Sequence, residues 1–232
     1  MRCTHSTRTL CGTDTMDAHL TALAELTDPH GELGQKLFNA CNAELFPCDA
    51  LAFAVLERSL NLLKGFNLLL SHGGYTTGVG LLRMQLDNVL RFHGVVTAAD
   101  PHGIANEIFH GAQLRTLKDR TGKKMTDARL VELLAEKNPW VNHAYTLACS
   151  YIHLSDQHLQ HFLLRSKKNC EGKRDFAIGD EDEHVETEHK SQLINAFAVV
   201  TRGVLELIDQ WATTRHAQGT NEQLKARFSS AV

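Results

Sequence analysis

The chain has 232 residues, 43% apolar and 22% charged, with a net charge of −3 when its histidines are neutral. That length can bury a sizeable core, and the charge balance excludes a globally basic nucleic-acid binder, leaving only a local patch for phosphate contacts. The six cysteines form no C-x-x-C pair, so a zinc ribbon or thioredoxin-type site is excluded and reduced thiols in a cytoplasm are expected.

The opening stretch, MRCTHSTRTLCGTDT, carries no hydrophobic run, so a secretory signal is not expected there. Residues 1–15 are expected to lack order and 218–232 to form a frayed tail, which leaves 16–217 as a single helical domain. Two short amphipathic helices are predicted over 16–27 and 32–45, separated by Pro29 and Gly31. Pro47 closes the second. Asp49 is placed to cap a long helix over 50–71, because its carboxylate can accept free amide hydrogens of a first turn. This stretch is very apolar, but Glu57, Arg58 and Lys64 interrupt it, which favours a buried core helix over a membrane span.

The segment SHGGYTTG breaks that helix, and Thr76 or Thr77 restarts one that runs to about 98. Its glycines tempt a phosphate-loop reading, but it lacks the Lys-Ser/Thr ending and follows a helix, so a helix–helix turn is expected. Asp100 and Pro101 open a helix ending near Lys118. Thr126 caps a helix over 127–137. Asn138 followed by Pro139 reads as a cap and a first helical residue, for a helix running to about Leu154. Around NCEG, residues 162–179 show two short extended-looking runs and suggest a small hairpin. In the last helix, 185–217, Leu193, Phe197, Val200, Val204, Ile208 and Trp211 recur at three and four residues and mark one buried stripe. The expected fold is therefore all-α, a helical bundle with four long helices, short satellites and the hairpin.

Two constellations carry chemistry. In LLRMQLDNVLR, Arg83, Asp87 and Arg91 stand at i, i+4 and i+8 and line one helix face. Arg58 interrupts the preceding apolar helix and must find a carboxylate or a cleft, since an unpaired buried charge is costly. This set reads either as ion pairing or as an anion-binding cleft, with Arg58, Arg83 and Arg91 as ligand-binding residues. The second constellation is YIHLSDQHLQH, residues 151–161. Ser155 can cap a short helix beginning at Asp156. His153 and His158 would point about 140° apart on an unbroken helix, and a break at Ser155 can bring them together. As an active site, His153, His158 and Asp87 would be its catalytic groups, because imidazole titrates near neutrality.

Metal is a third possibility. Glu107–His110, Glu181–His184 and Glu186–His189 match E-x-x-H, and Glu57 and Glu132 could supply the remaining carboxylates of a di-metal bundle. Chance accounts for such matches readily, and no metal or other cofactor is expected. Basic runs at Arg115, Lys118, Arg120, Lys123 and Lys124, and at Arg165, Lys167, Lys168, Lys173 and Arg174, are solvated loops or one phosphate-contacting surface.

Taken together, ERSLNLL, LLRMQLDNVLRF, YIHLSDQH and the terminal helix with Trp211 resemble uncharacterised bacterial all-helical proteins distantly like the HEPN and abortive-infection families. The resemblance spans about 50 to 215. It matches Arg83 and Asp87 to an arginine-plus-acid helix, and His153, Ser155 and His158 to a later segment. It implies a cytoplasmic accessory protein, an interaction or regulatory component linked to phage defence, with self-association and no membrane. It also implies RNA or another phosphate compound as the alternative ligand of an enzyme. HEPN ribonucleases place an arginine shortly ahead of a catalytic histidine, whereas no histidine here has an arginine five to seven positions before it.

Overall fold

The computed structural model describes residues 11–153, 155–168, 171–175 and 185–228. Helices α1 (Cys11–Ala24) and α2 (Thr27–Ala40) precede the long α3 (Pro47–Ser71) and α4 (Tyr75–Val96). Then come α5 (Pro101–Phe109), a 3-10 turn (Leu114–Thr116), α6 (Asp127–Ala135), α7 (Trp140–Ile152) and α8 (Asp156–Arg165). The chain closes with the strands β1 (Lys167–Lys168) and β2 (Arg174–Asp175), α9 (Thr187–Thr214), a 3-10 turn (Arg215–Gln218) and α10 (Asn221–Phe228). The all-α class holds. Of the hairpin expected over 162–179, a short antiparallel pair is present, Lys167 opposite Asp175, while 162–165 belong to α8 and residues 169, 170 and 176–179 lie outside the described residues.

Helices α3, α4 and α9 pack against one another at the centre, with α1 and α2 against α3 and α9, and α6 and α7 against α4. The rings of Phe66 on α3 and Phe197 on α9 stack at 4.0 Å, a geometry that adds roughly 0.5–1.5 kcal/mol to simple burial. All six residues of the expected α9 stripe are buried. By length and hydropathy alone α9 could cross a membrane, but its apolar face is spent on this core. Gly94 lets α6 approach α4, since a Cβ there would overlap Leu130 Cδ2.

Several helix ends differ from expectation for one reason: a proline in a first turn loses no hydrogen bond. Pro29 lies inside α2, not between helices, and Pro47 begins α3 instead of closing its predecessor. Asp49 thus becomes the third residue of α3, and its Oδ2 accepts from the Phe46 N–H at 3.1 Å. The Asp100 and Thr126 caps hold, accepting from Gly103 and Arg129 amides at 3.0 and 3.3 Å. Helix α5 stops at Phe109, where Gly111 takes a φ of 91°, well before Lys118. Asn138 turns its amide back to Leu134 O, and α7 starts at Trp140.

Both terminal expectations change. Helix α1 begins at Cys11, ahead of Met16, while residues 1–10 lie outside the described set. The expected frayed tail instead holds α10, with Leu224 buried. Asn221 donates to Cys41 O at 3.1 Å, and Arg227 pairs with Asp100.

Candidate functional site

The α3–α4 pair delivers the arginines. Arg58, on the solvent-facing flank of α3, donates through Nη1 to Asn88 Oδ1 and lies 3.5 Å from Asp87 Oδ2. Asp87 Oδ1 accepts from Arg91 Nε at 2.7 Å and lies 3.7 Å from Arg83 Nη1. One carboxylate therefore serves three guanidiniums, two of them one helical turn away on its own helix. Asp127, the first residue of α6, adds a second carboxylate: its Oδ1 accepts from Arg91 Nη2 at 3.2 Å.

Arg83 is the inner member, with 12% of its side chain exposed against 41% for Arg58 and Arg91. It lies over the Tyr145 ring at 4.2 Å and donates to Tyr145 Oη at 2.8 Å and to Cys149 Sγ at 3.2 Å. Tyr145 in turn donates to Asp127 Oδ2 at 3.4 Å. Burial pushes the Tyr145 hydroxyl above its ordinary range, so it stays protonated and neutral. The cluster then holds three positive charges and two negative ones, a surplus of one.

Behind it runs a buried polar chain. Asn88 donates to Gln85 Oε1 at 2.9 Å, and Gln85 donates to Ser59 Oγ at 2.7 Å and Thr201 Oγ1 at 3.0 Å. Ser59 lies 3.0 Å from His30 Nε2, and His30 Nδ1 lies 2.7 Å from Leu26 O. With Nδ1 carrying the proton, the bonds run donor to acceptor without a break from Arg58 Nη1 through Asn88, Gln85, Ser59 and His30 to Leu26 O. Such satisfaction is what a buried network requires, and it fixes how Asn88 presents itself to Arg58.

The structure brings Arg58, Arg83, Arg91 and Asp87 together, but it does not bring the histidines to them. His158 Nδ1 accepts from the Ser155 N–H at 3.3 Å, and its ring leans on Tyr151 at 5.9 Å. Tyr151 meets Tyr75 at 6.4 Å, at the start of α4. From there Arg83 is ~12 Å and Asp87 ~18 Å along the helix at 1.5 Å per residue. His153 ends α7 and is exposed. Among the described residues no hydrogen bond or ion pair joins His153 or His158 to Asp87, and the break at Ser155 turns His158 back onto its own helix start. Ser155 itself donates through Oγ to Ser150 O at 2.7 Å.

The other expectations also resolve. Glu57 is exposed on α3, and Glu132 is held outside by Arg129 at 2.9 Å. No group of three or more His, Cys, Asp or Glu suited to a metal exists among the described residues, and the expected Glu181–His184 pair lies outside them. The first basic run wraps Asp119, whose Oδ1 accepts from Thr121 and Lys123 amides at 2.8 and 3.0 Å. The Thr121 hydroxyl, and then Arg129, hold the Asp119 carboxyl well below the usual range. This is a folded loop more than a free cationic surface. In the second run, the side chains of Arg165, Lys167 and Lys168 lie outside the description.

Asp127, Tyr145, Cys149 and Asn88 were not foreseen. Tyr145 and Cys149 stand four apart on α7 and so share a face, which is the one signal their sequence offers. Two depressions flank the cluster. One, of about 350 Å³, is bounded by Arg58, Asp87 and Arg91 and by apolar residues of α3, α4 and α5. The other, of about 700 Å³, lies between Arg91, Arg115 and Asp127. A separate groove of about 560 Å³ between α4, α6, α7 and α9 has Arg202, Lys137, Glu136 and Glu206 on its lining, charges that cancel. Comparisons with protein-family models, with curated proteins and with solved structures give no significant match for this chain.

Proposed function

We propose that the protein is a regulatory or interaction protein that binds an anionic ligand at the Arg58–Arg83–Arg91 cluster and does no chemistry on it. One observation carries this reading: three guanidiniums face two carboxylates and a neutral tyrosine, leaving one positive charge uncompensated beside a pocket. Among the described residues, Arg58 Nε and Nη2 and Arg91 Nη1 have no hydrogen-bond acceptor, so donors are left for a ligand. General acid–base work needs a group within about 2.6–3.2 Å of the proton it moves. Among the described residues no hydrogen bond joins His153 or His158 to the arginines, which favours binding over the phosphate-compound enzyme that was the alternative. A cytoplasmic accessory protein linked to phage defence, as the family resemblance implies, suits a ligand-sensing role.

The test is titration of the full chain with acetate, inorganic phosphate and a short single-stranded RNA, followed by calorimetry. At least one should bind, and Arg58→Gln and Arg91→Gln should each weaken it about tenfold, as loss of a charge-assisted hydrogen bond does. Affinities indifferent to both substitutions would overturn the assignment. RNA cleavage abolished by His158→Ala in a folded protein would restore the enzyme alternative.

Self-association is a second element of this proposal. Helix α8 exposes Leu159 and Leu163, one turn apart on one face. Exposed leucines so spaced suit an interaction surface.

A further inference from the structure

Resting on the anion-binding reading, we infer that the ligand is a small apolar monocarboxylate, its carboxylate on Arg58 and Arg91 and its hydrocarbon body in the slot between α3, α4 and α5. The walls of that slot are Leu51 and Val55 from α3, Phe92 and Val95 from α4, Ile108 from α5 and Leu114 from the 3-10 turn. Its volume, about 350 Å³, lies at the small end of ligand pockets, which run from about 300 to 1,000 Å³. Such a cavity accepts a medium-length chain or one ring.

Polar groups meet this slot at one place only. They are Arg58, Asp87, Asn88 and Arg91, and Asp87 and Asn88 already accept from the arginines. What remains to recognise a ligand is therefore cationic donors on an apolar wall. The unused donors of Arg58, Nε and Nη2, lie side by side on one edge of the guanidinium, the spacing that matches the two oxygens of a carboxylate.

Charge decides between anions. Three arginines against Asp87 and Asp127 leave a surplus of one, which a monoanion neutralises. A phosphate monoester would leave a negative charge against an apolar wall, where an uncompensated charge is costly. A nucleic acid would bring several charges and no apolar body for the slot.

The probes are acetate, butyrate, hexanoate and octanoate, with octan-1-ol and octyl phosphate as controls, titrated into the full chain below micelle-forming concentrations. Affinity should tighten roughly threefold to fourfold for each methylene that enters the slot, and then level off. Octan-1-ol should bind at least tenfold more weakly than octanoate, and so should octyl phosphate. Ala54→Trp, at an exposed residue lining the slot, should erase the preference for longer chains while acetate binding stays.

Arg-dependent binding of acetate or phosphate with no gain along the carboxylate series would overturn this inference and leave the anion site standing. Absence of any Arg58-dependent anion binding would overturn both. Methyl chemical shifts of the unmodified protein supply a reading that no variant's folding affects. Octanoate must move Val55, Val95, Ile108 and Leu114, and shifts confined to other methyls would sink the assignment.

Discussion

Arg215 Nη2 lies 3.2 Å from Asp49 Oδ2, and the two side chains are 4% and 0% exposed. They are 166 positions apart in the chain, and they tie the start of α3 to the end of α9. Asp49 also accepts from Trp211 Nε1 at 3.0 Å, and Arg215 donates on to Asn221 Oδ1 at 2.6 Å. The carboxylate therefore has a partner on each side, and the guanidinium has nowhere to shed its charge. Removing one member of such a buried pair leaves the other uncompensated, at a cost of about 3–5 kcal/mol. Asp49→Ala should lower the unfolding free energy by that amount, read as a fall in the urea midpoint at unchanged slope. A loss within the few tenths typical of a surface site would show that water reaches Arg215.

How much of this was legible beforehand follows the range of the interactions. The 3.6-residue period of α9 gave its buried face correctly, and the caps at Asp100 and Thr126 are local and were readable. Arg83, Asp87 and Arg91 share one helix, so their alignment followed from spacing alone. Arg58 was singled out because a charge in an apolar helix needs a partner. Asp127 and Tyr145 sit on other helices, and no local pattern says which faces of α6 and α7 meet α4. Asp49 was read as a cap only, since nothing near it in the chain announces Trp211 and Arg215. The histidines misled for the same reason. The break at Ser155 was expected, but its direction depends on packing, and His158 turned onto Ser155.

Two buried imidazoles and one half-buried one set the pH response. Burial lowers His30, His93 and His102 below the ordinary value of 6.5. The nearby Lys64 lowers His30 further, and Lys137 lowers His93. A histidine with a lowered folded pKa binds its proton more readily in the unfolded chain, so its contribution to stability is complete above pH 6.5. That contribution is lost as the pH falls from there through the folded value. The carboxyls of Asp100 and Asp119 are held below 3.8, so their loss begins only in more acid solution. The urea midpoint should therefore already decline between pH 6.5 and 5. In His30→Gln, which cannot titrate, the slope should shrink in that window. An identical slope in both proteins would remove His30 from the account.

Two glycines on α4 should respond in opposite senses. A Cβ on Gly94 would overlap Leu130 Cδ2, and Leu130 is buried and cannot swing into solvent. Gly94→Ala should therefore cost ~1–3 kcal/mol by overpacking the α4–α6 contact. Around Gly80 nothing lies within 4 Å of the added atom. There alanine's better helix propensity acts alone, and Gly80→Ala should gain up to about 1 kcal/mol. Thermal melts of the two variants, compared with the parent, give the sign of each effect. Destabilisation by both would mean that the Gly80 face of α4 is covered in the folded protein.

The α7–α8 face tests the expected self-association. Leu159 is 58% exposed and Leu163 42%, and both lie on a ten-residue helix whose contact with α7 is sparse. Water-exposed leucines one turn apart gain about 25 cal/mol for each Å² a second copy covers. Light scattering of the full chain should give a mass above that of one copy, falling to one copy in Leu159→Gln/Leu163→Gln. Because both residues are already in solvent in the single chain, the double variant should keep the parent's helical circular dichroism. A parent that stays monomeric across a hundredfold concentration range would remove self-association through this face. A variant that stays assembled would move the interface elsewhere on the molecule, with the 560 Å³ groove beside the exposed Trp140 as the next surface to substitute.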